Sequence, residues 1–461
     1  MNLITKLHLG SRARRRAATF GFAGALLLAL LAPAQVSAAS VSFGTPTASS
    51  KFGTGITFTQ PYSGGSFDQA EIAISLPGDV GPTVTGIAKP GSSSLSYTMD
   101  LSNGGLTPFT PVTAHFQVVL SDGTVVDGPD IHVTYADDRF AWKSVTGGLV
   151  TIHWFQGTAS FAQQLLSYGQ NGLAKSAQFL GITETKPIDF YVYPSQAAFA
   201  AGLSVPETIG GQAEPGYRTC FALIAPNDLA YGSTVVPHEL THIVFADIVD
   251  NPYHSPPRWL NEGLAVYLSE GYGSDNRQLV SQAVKNGTLA PLAALAGYFS
   301  LDQSRIYLSY AEAVSAVDYM VRKYGQAGVQ KLVKAYAAAS SDDEAFQKAF
   351  GVTLEAFDKA WMADNKVAAP TQYGPQPAPT GPLPPGWSSS GGGTGPGSTE
   401  PPTSPTQAPP TSSVNPGSTG GSGSSDPGPA ALTASAVIAA LGVLLFLVGG
   451  VLMARERRRT P

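Results

Sequence analysis

From about residue 39 to residue 136 the apolar and polar positions alternate with period two. Leu95, Tyr97, Met99 and Leu101 share one face. Val112, Ala114, Phe116, Val118 and Leu120 do the same, and so do Ile131, Val133 and Tyr135. Such alternation turns one side of a strand to a core and the other to water. Ser63-Gly64-Gly65, Asn103-Gly104-Gly105 and Asp122-Gly123 punctuate the runs as turns. Short strands repeated in this way predict an immunoglobulin-like β-sandwich over 39–136. His115 and His132 fall on the polar side of their strands and read as surface histidines.

The pattern changes over 137–369. Two strands flank Gly147-Gly148, a helix is predicted over Ala159–Leu180, and further strands at 187–194 and 219–226. From Ser233 to Asn365 nearly everything reads as helix. Strands first and helices after predict an α+β domain with a sheet lobe and a helical lobe.

Both ends carry apolar runs of another kind. Residues 1–38 read as a signal peptide, with basic positions from Lys6 to Arg16, the apolar run Ala17–Ala32 and the small residues Val36-Ser37-Ala38. Residues 430–454 are uncharged and long enough to predict a transmembrane helix. The basic tail 455–461, with Arg455, Arg457, Arg458 and Arg459, then assigns that end to the cytoplasm and the bulk of the chain to the outside. Residues 370–429 hold sixteen prolines among Gly, Ser and Thr and predict a disordered linker. The expected location is a cell membrane, single-pass, with the folded bulk extracytoplasmic.

Charge narrows the partners. The chain has 27 Lys+Arg and 32 Asp+Glu. Without the nine basic and one acidic residues of the two ends, 18 basic and 31 acidic residues remain. A surface of that sign repels phosphate backbones, so nucleic acid is not an expected partner. The one cysteine, Cys220, excludes an intrachain disulfide framework.

The chemistry concentrates in two segments. "VVPHELTHIVFADIVD" contains His238, Glu239 and His242, and on a helix positions i and i+4 share a face, so both imidazoles can bind one ion. Ser233 or Thr234 is the expected N-cap. "PPRWLNEGLAVYLSE" then places Glu262 on a second predicted helix, with nineteen residues between it and His242. Two histidines and one carboxylate leave a fourth position open, the arrangement of catalytic rather than structural zinc. One zinc ion per chain is the expected cofactor.

"HELTH" followed by "WLNEGLAVYLSE" resembles the gluzincin metallopeptidases, in particular the aminopeptidase N-like and peptidase MA-like families. The resemblance covers about Asp137–Ala369. It implies a zincin-type fold, zinc held by His238, His242 and Glu262, and Glu239 as general base for a zinc-activated water. It also implies a catalytic tyrosine on a later helix, and Tyr310 in "LSYAEAVSAVDYMVRKYG" fits, with Tyr307 as rival. The spacer between the two segments is one residue longer than in the family. The aminopeptidases' Gly-x-Met-Glu-Asn loop has its counterpart in Gly210-Gly211-Gln212-Ala213-Glu214, which lacks Met and Asn, so Glu214 is the one residue left to grip a free amine. By the same resemblance substrate lies along an edge strand near Arg218–Leu223. Cys220 reads there as packing, and His254 in "NPYHSPP" as a solvated loop histidine. His153 has no assigned role, and Asp247 and Glu270 are guesses for acceptors behind the histidines.

The expectation is therefore a membrane-anchored extracytoplasmic zinc peptidase acting on peptide or protein, with endo- and aminopeptidase action both open. The sandwich would make cell-surface or cell-wall contacts. The alternative is a surface adhesin or scaffold with a vestigial peptidase-like domain.

Overall fold

The computed structural model describes residues 41–370, apart from 88–92, 204–209, 301 and 340. The predicted signal peptide, disordered linker, transmembrane helix and basic tail lie outside the described residues. No helix among the described residues is long and apolar enough to cross a membrane.

The alternating segment forms nine antiparallel strands: β1 (Ser42–Phe43), β2 (Thr47–Lys51), β3 (Gly55–Ser63), β4 (Gln69–Ser75), β5 (Thr83–Gly86), β6 (Ser94–Asp100), β7 (Thr110–Val119), β8 (Val125–Asp127) and β9 (Ile131–Tyr135). One sheet orders β1-β3-β2 with β6 also on β3; the other orders β5-β4-β7-β8 with β9 also on β7. Val112, Ala114, Phe116 and Val118 of β7 are buried with Ile56, Phe58, Ile72 and Leu95, so the period-two pattern becomes the sandwich core. His115 and His132 lie on the other face, paired with Asp130 (3.3 Å) and Thr113 (3.0 Å).

A third sheet follows: β10 (Lys143–Gly147), β11 (Val150–Trp154), β12 (Ile188–Tyr193), β13 (Gly211–Glu214) and β14 (Thr219–Leu223). Its order is β10-β11-β12-β14-β13; β11-β12 and β12-β14 are parallel, and the two outer pairs are antiparallel. This corrects the expected edge strand. β14, with Arg218–Leu223, lies inside the sheet, and the edge is β13. A crossover set this order, and the sequence of β14 alone does not carry it.

The helices are α1 (Ala159–Leu180), α2 (Gln196–Leu203), α3 (Leu229–Val249), α4 (Arg258–Ser269), α5 (Ser274–Asn286), α6 (Gln303–Tyr336, broken at Gly325 with φ 69°), α7 (Asp342–Phe350) and α8 (Leu354–Asp364). Helix α1 keeps its predicted limits because Thr158 caps Phe161 N at one end and Gly181 (φ 76°) ends the other. Helix α3 starts earlier than expected. Asp228 caps it through Tyr231 N, so Ser233 and Thr234 are interior. Pro237 therefore sits inside the helix, where it withholds the amide that position would donate to Ser233. Gly172 of α1 lets the two helices approach there: a Cβ on it would lie 2.7 Å from Pro237 Cβ.

The sandwich and the third sheet belong to one compact unit. Phe109, with φ 64°, stacks on Tyr191 of β12 at 3.6 Å. Asp137 is 1% exposed and accepts hydrogen bonds from Arg139 Nε (2.8 Å), Arg139 NH2 (2.7 Å) and the Tyr193 hydroxyl (2.9 Å). Arg139 in turn lies over the Phe52 ring of the sandwich, 4.5 Å from its centroid. The larger core lies between the third sheet and helices α1, α3, α4 and α6.

Candidate metal centre

Helix α3 presents His238 and His242 one turn apart, their ring centroids separated by 4.9 Å. Helix α4 brings Glu262 against both. Its Oε2 lies 3.4 Å from His238 Nε2 and 3.5 Å from His242 Nε2. One ligand atom from each of the three residues lies within 4.8 Å of the others. Two ligands bonded to a tetrahedral ion at about 2.0–2.1 Å stand about 3.3–3.4 Å apart, so the site has the spacing a zinc ion requires. Of the clusters among the described residues, this one combines two imidazoles and a buried carboxylate.

Burial makes the approach of α4 possible. Gly263, next to Glu262, lies so close to α6 that a Cβ would fall 2.5 Å from Ala313 O. Trp259, Leu260 and Leu264 are fully buried around it. The helix cannot rotate without opening this core, and Glu262 is fixed accordingly.

The histidine tautomer is set from behind. His242 Nδ1 donates to Asn261 Oδ1 at 2.8 Å, which leaves the Nε2 lone pair facing Glu262. Sequence reasoning quoted Asn261 within its motif without giving it this part. Of the two residues guessed for it, Asp247 instead pairs with Arg218, which also holds Glu184 at 2.7 Å. Glu270, the C-cap of α4, acts on His238 through its charge.

The electrostatics separate the two carboxylates. Burial would raise Glu262, but His242, His238 and Arg258 outweigh it and hold the carboxyl down at about 2. Burial dominates at Glu239, which is 4% exposed, and pushes it up to about 7. Burial also lowers His242. At His238 burial acts downward, but the hydrogen bond to Glu262 and the charges of Glu239 and Glu262 raise the net value. One carboxylate is thus kept ionised by the imidazoles and Arg258, and the other is a weak acid beside it.

Glu239 faces the edge strand. A Cβ on Gly211 would lie 2.7 Å from Glu239 Cδ, so the bare glycine backbone is what makes room for the carboxylate. Cys220 packs beneath, its Sγ 3.6 Å from Glu239 O, and burial raises the thiol. By strand parity Gly211 and Ala213 face α3, while Gln212 and Glu214 point to the other side. Glu214 accepts from Gln212 Nε2 (2.5 Å) and from Thr107 Oγ1 of the sandwich (3.3 Å). The structure thus turns Glu214 away from the histidines. The period of two decided it.

Tyr310 lies beside His238, ring centroids 6.4 Å apart, and burial raises its phenol. Tyr307, one turn earlier, is 52% exposed. The structure brings Tyr310, not its rival, to the histidines. The remaining histidines are elsewhere: His153 pairs with Asp189 (2.7 Å) and stacks on Tyr191, and His254 pairs with Asp342 (2.8 Å). His254 is therefore a tethered side chain that joins its loop to α7, where a solvated one was expected.

Residues 168–367 match the family model described as the Peptidase MA superfamily, which bears out the resemblance read from the two motifs. No curated protein matches. Among solved structures, an M1 zinc metallopeptidase from Deinococcus radiodurans aligns at 11% identity and a TM-score of 0.36, over 74% of this chain and 96% of that one. An aminopeptidase N family protein from Idiomarina loihiensis aligns at 10% identity and a TM-score of 0.37, over 66% and 73%. A polysaccharide deacetylase from Bacillus cereus aligns at 11% identity and a TM-score of 0.18, over 33% of this chain, which spans about half of that protein's length (51%). These TM-scores are low, and the likenesses fix neither fold nor activity for this chain.

Proposed function

We propose that this chain is a zinc-dependent peptidase, anchored in a membrane by residues 430–454 with its folded bulk outside. The observation that carries the peptidase reading is the convergence of His238 Nε2 and His242 Nε2 on Glu262 Oε2 at 3.4 and 3.5 Å. Anchoring and topology rest on the sequence pattern of the two ends.

A zinc ion held by such a three-ligand set lowers the pKa of water to about 7 and polarises a carbonyl. His238, His242 and Glu262 would hold it. Glu239 then takes a proton from the attacking water and returns it to the leaving amine. Its carboxylate has no neighbouring side chain at Gly211 to displace it from that path. Tyr310 donates its hydroxyl to the oxygen on which charge develops. Glu214, held by Gln212 and Thr107 on the far face of β13, offers nothing to a substrate's free amine. We therefore favour cleavage inside a chain over amino-terminal trimming.

The test is digestion of a peptide library, half of it acetylated at the amino terminus, read by mass spectrometry. Chelator-sensitive internal cuts, equal for free and acetylated peptides, are expected. Glu239→Gln should keep one zinc per chain and lose at least about a hundredfold in rate. Cleavage that persists in Glu239→Gln or with the metal removed overturns the reading. Cuts confined to free amino termini overturn the preference for internal bonds.

A further inference from the structure

Arg258 stands outside the ligand set, yet it touches it. It opens α4, one turn before Glu262, and its NH2 lies 2.9 Å from Glu262 Oε1. The other oxygen, Oε2, is the one that faces both imidazoles. The carboxylate is thus divided: one oxygen for the histidine side, one for the guanidinium.

An exposed i,i+4 pair contributes little to stability and has no consequence for a site. This pair is different in its surroundings. The Glu262 side chain is 8% exposed and that of Arg258 34%. The guanidinium lies over Tyr298 and Phe299, 5.8 and 5.5 Å from their centroids. Phe299 meets Tyr310 edge-on at 5.3 Å. The Arg258 amide is fixed to Ala296 O at 2.8 Å. Its Nε is buried with no hydrogen-bond partner. Leaving a buried guanidinium nitrogen bare is costly, so the group is held by its carboxylate and ring contacts rather than by a full set of acceptors.

We propose that Arg258 is a positioning residue that takes up Glu262 Oε1 and so restricts the carboxylate to a single oxygen, Oε2, for the metal. The proposal rests on the zinc reading above. Its physical content is orientation and charge. A carboxylate with both oxygens free can rotate or chelate; one with Oε1 tied to a planar fork presents Oε2 alone. The same cation pairs Oε1, which without it would be left buried and unpaired unless the carboxylate turned away from the histidines. Arg258 also acts directly on Tyr310, through its charge and a side-chain hydrogen bond, with the Phe299 ring packed beside them, so the guanidinium fixes the tyrosine as well.

The experiment uses the purified chain with zinc and, separately, with cobalt(II) as a spectroscopic substitute. Arg258→Gln should weaken zinc about 10- to 100-fold in competition with a chelator. The cobalt(II) visible band should lose intensity and shift as Glu262 gains its second oxygen. Arg258→Lys, which keeps the charge without the fork, should recover part of the affinity and not the spectrum. Zinc affinity within about twofold of the wild type and an unchanged cobalt spectrum in Arg258→Gln would overturn the role, even if turnover fell. A wild-type chain that takes up no metal would overturn the peptidase reading and this one with it. The two failures are therefore distinguishable.

Discussion

The contact between Gly211 and Glu239 gives a single-atom test of the site. Gly211 does not have a positive φ, so alanine is compatible with its backbone and the perturbation is the added Cβ alone. That carbon would lie 2.7 Å from Glu239 Cδ. Carbon atoms in contact sit about 3.5–4.0 Å apart, so the carboxylate or the edge strand must yield by about 1 Å. A shift of that size in a reacting group costs about a hundredfold in rate, or about 2.7 kcal/mol of barrier. The two imidazoles that converge on Glu262 Oε2, and Glu262 itself, are not touched. Gly211→Ala should therefore retain one zinc per chain and a thermal midpoint near the wild type, with kcat/KM about a hundredfold lower. The assay is hydrolysis of a peptide found in the library digest, with metal content measured on the same sample. A variant within twofold of wild-type kcat/KM would refute the placement of Glu239 against β13. Loss of zinc in parallel with activity would show that α3 itself, with its histidines, had moved.

Three further outcomes follow from contacts of other kinds. Asn261→Ala removes the acceptor of His242 Nδ1 and should weaken zinc about 10- to 100-fold in chelator competition, whereas Asn261→Asp should lose less; equal losses would show that the tautomer is set elsewhere. Glu312 is fully buried beside Arg305, and burial raises its carboxyl above 4.5. A raised acid contributes stability that is complete below its unfolded pKa and is lost as pH rises through the folded one. The stability difference between wild type and Glu312→Gln in urea should therefore shift against the wild type as pH goes from 4 upward to 7, and a shift the other way would contradict the burial argument. Phe109→Ala removes the ring stacked on Tyr191 and should cost about 2 kcal/mol by urea unfolding; a loss below about 0.5 kcal/mol would mean that the sandwich leans on the sheet by other contacts.

Much of this was legible because it is local. The alternation of β7, the caps of α1 and the i,i+4 histidines of α3 depend on neighbours within a turn or a strand. Strand order is not local, so the sequence pointed to Arg218–Leu223 as the edge where the structure has Gly211–Glu214. The start of α3 went to Asp228 because a side chain at the true first turn outcompeted the serine and threonine inside. Asp247 was near enough in sequence to suggest a histidine partner, but Arg218 from the other side of the sheet claimed it. Arg258 and Glu262 share a helical face and that much was readable. That the arginine would be boxed by Tyr298 and Phe299 was not, since those rings arrive from some forty positions downstream.

The knot at Asp137 bears on how the molecule can be taken apart. A protease or a gene designer cutting after Tyr135 would sever the chain where a carboxylate with 1% exposure is clasped by Arg139 and Tyr193, while the guanidinium rests on Phe52 across the cut. The released C-terminal part would keep the anion and lose the Phe52 ring over its cation. The visible seam in the amino-acid pattern is thus one of the worst places to divide this protein, and the two halves should melt together.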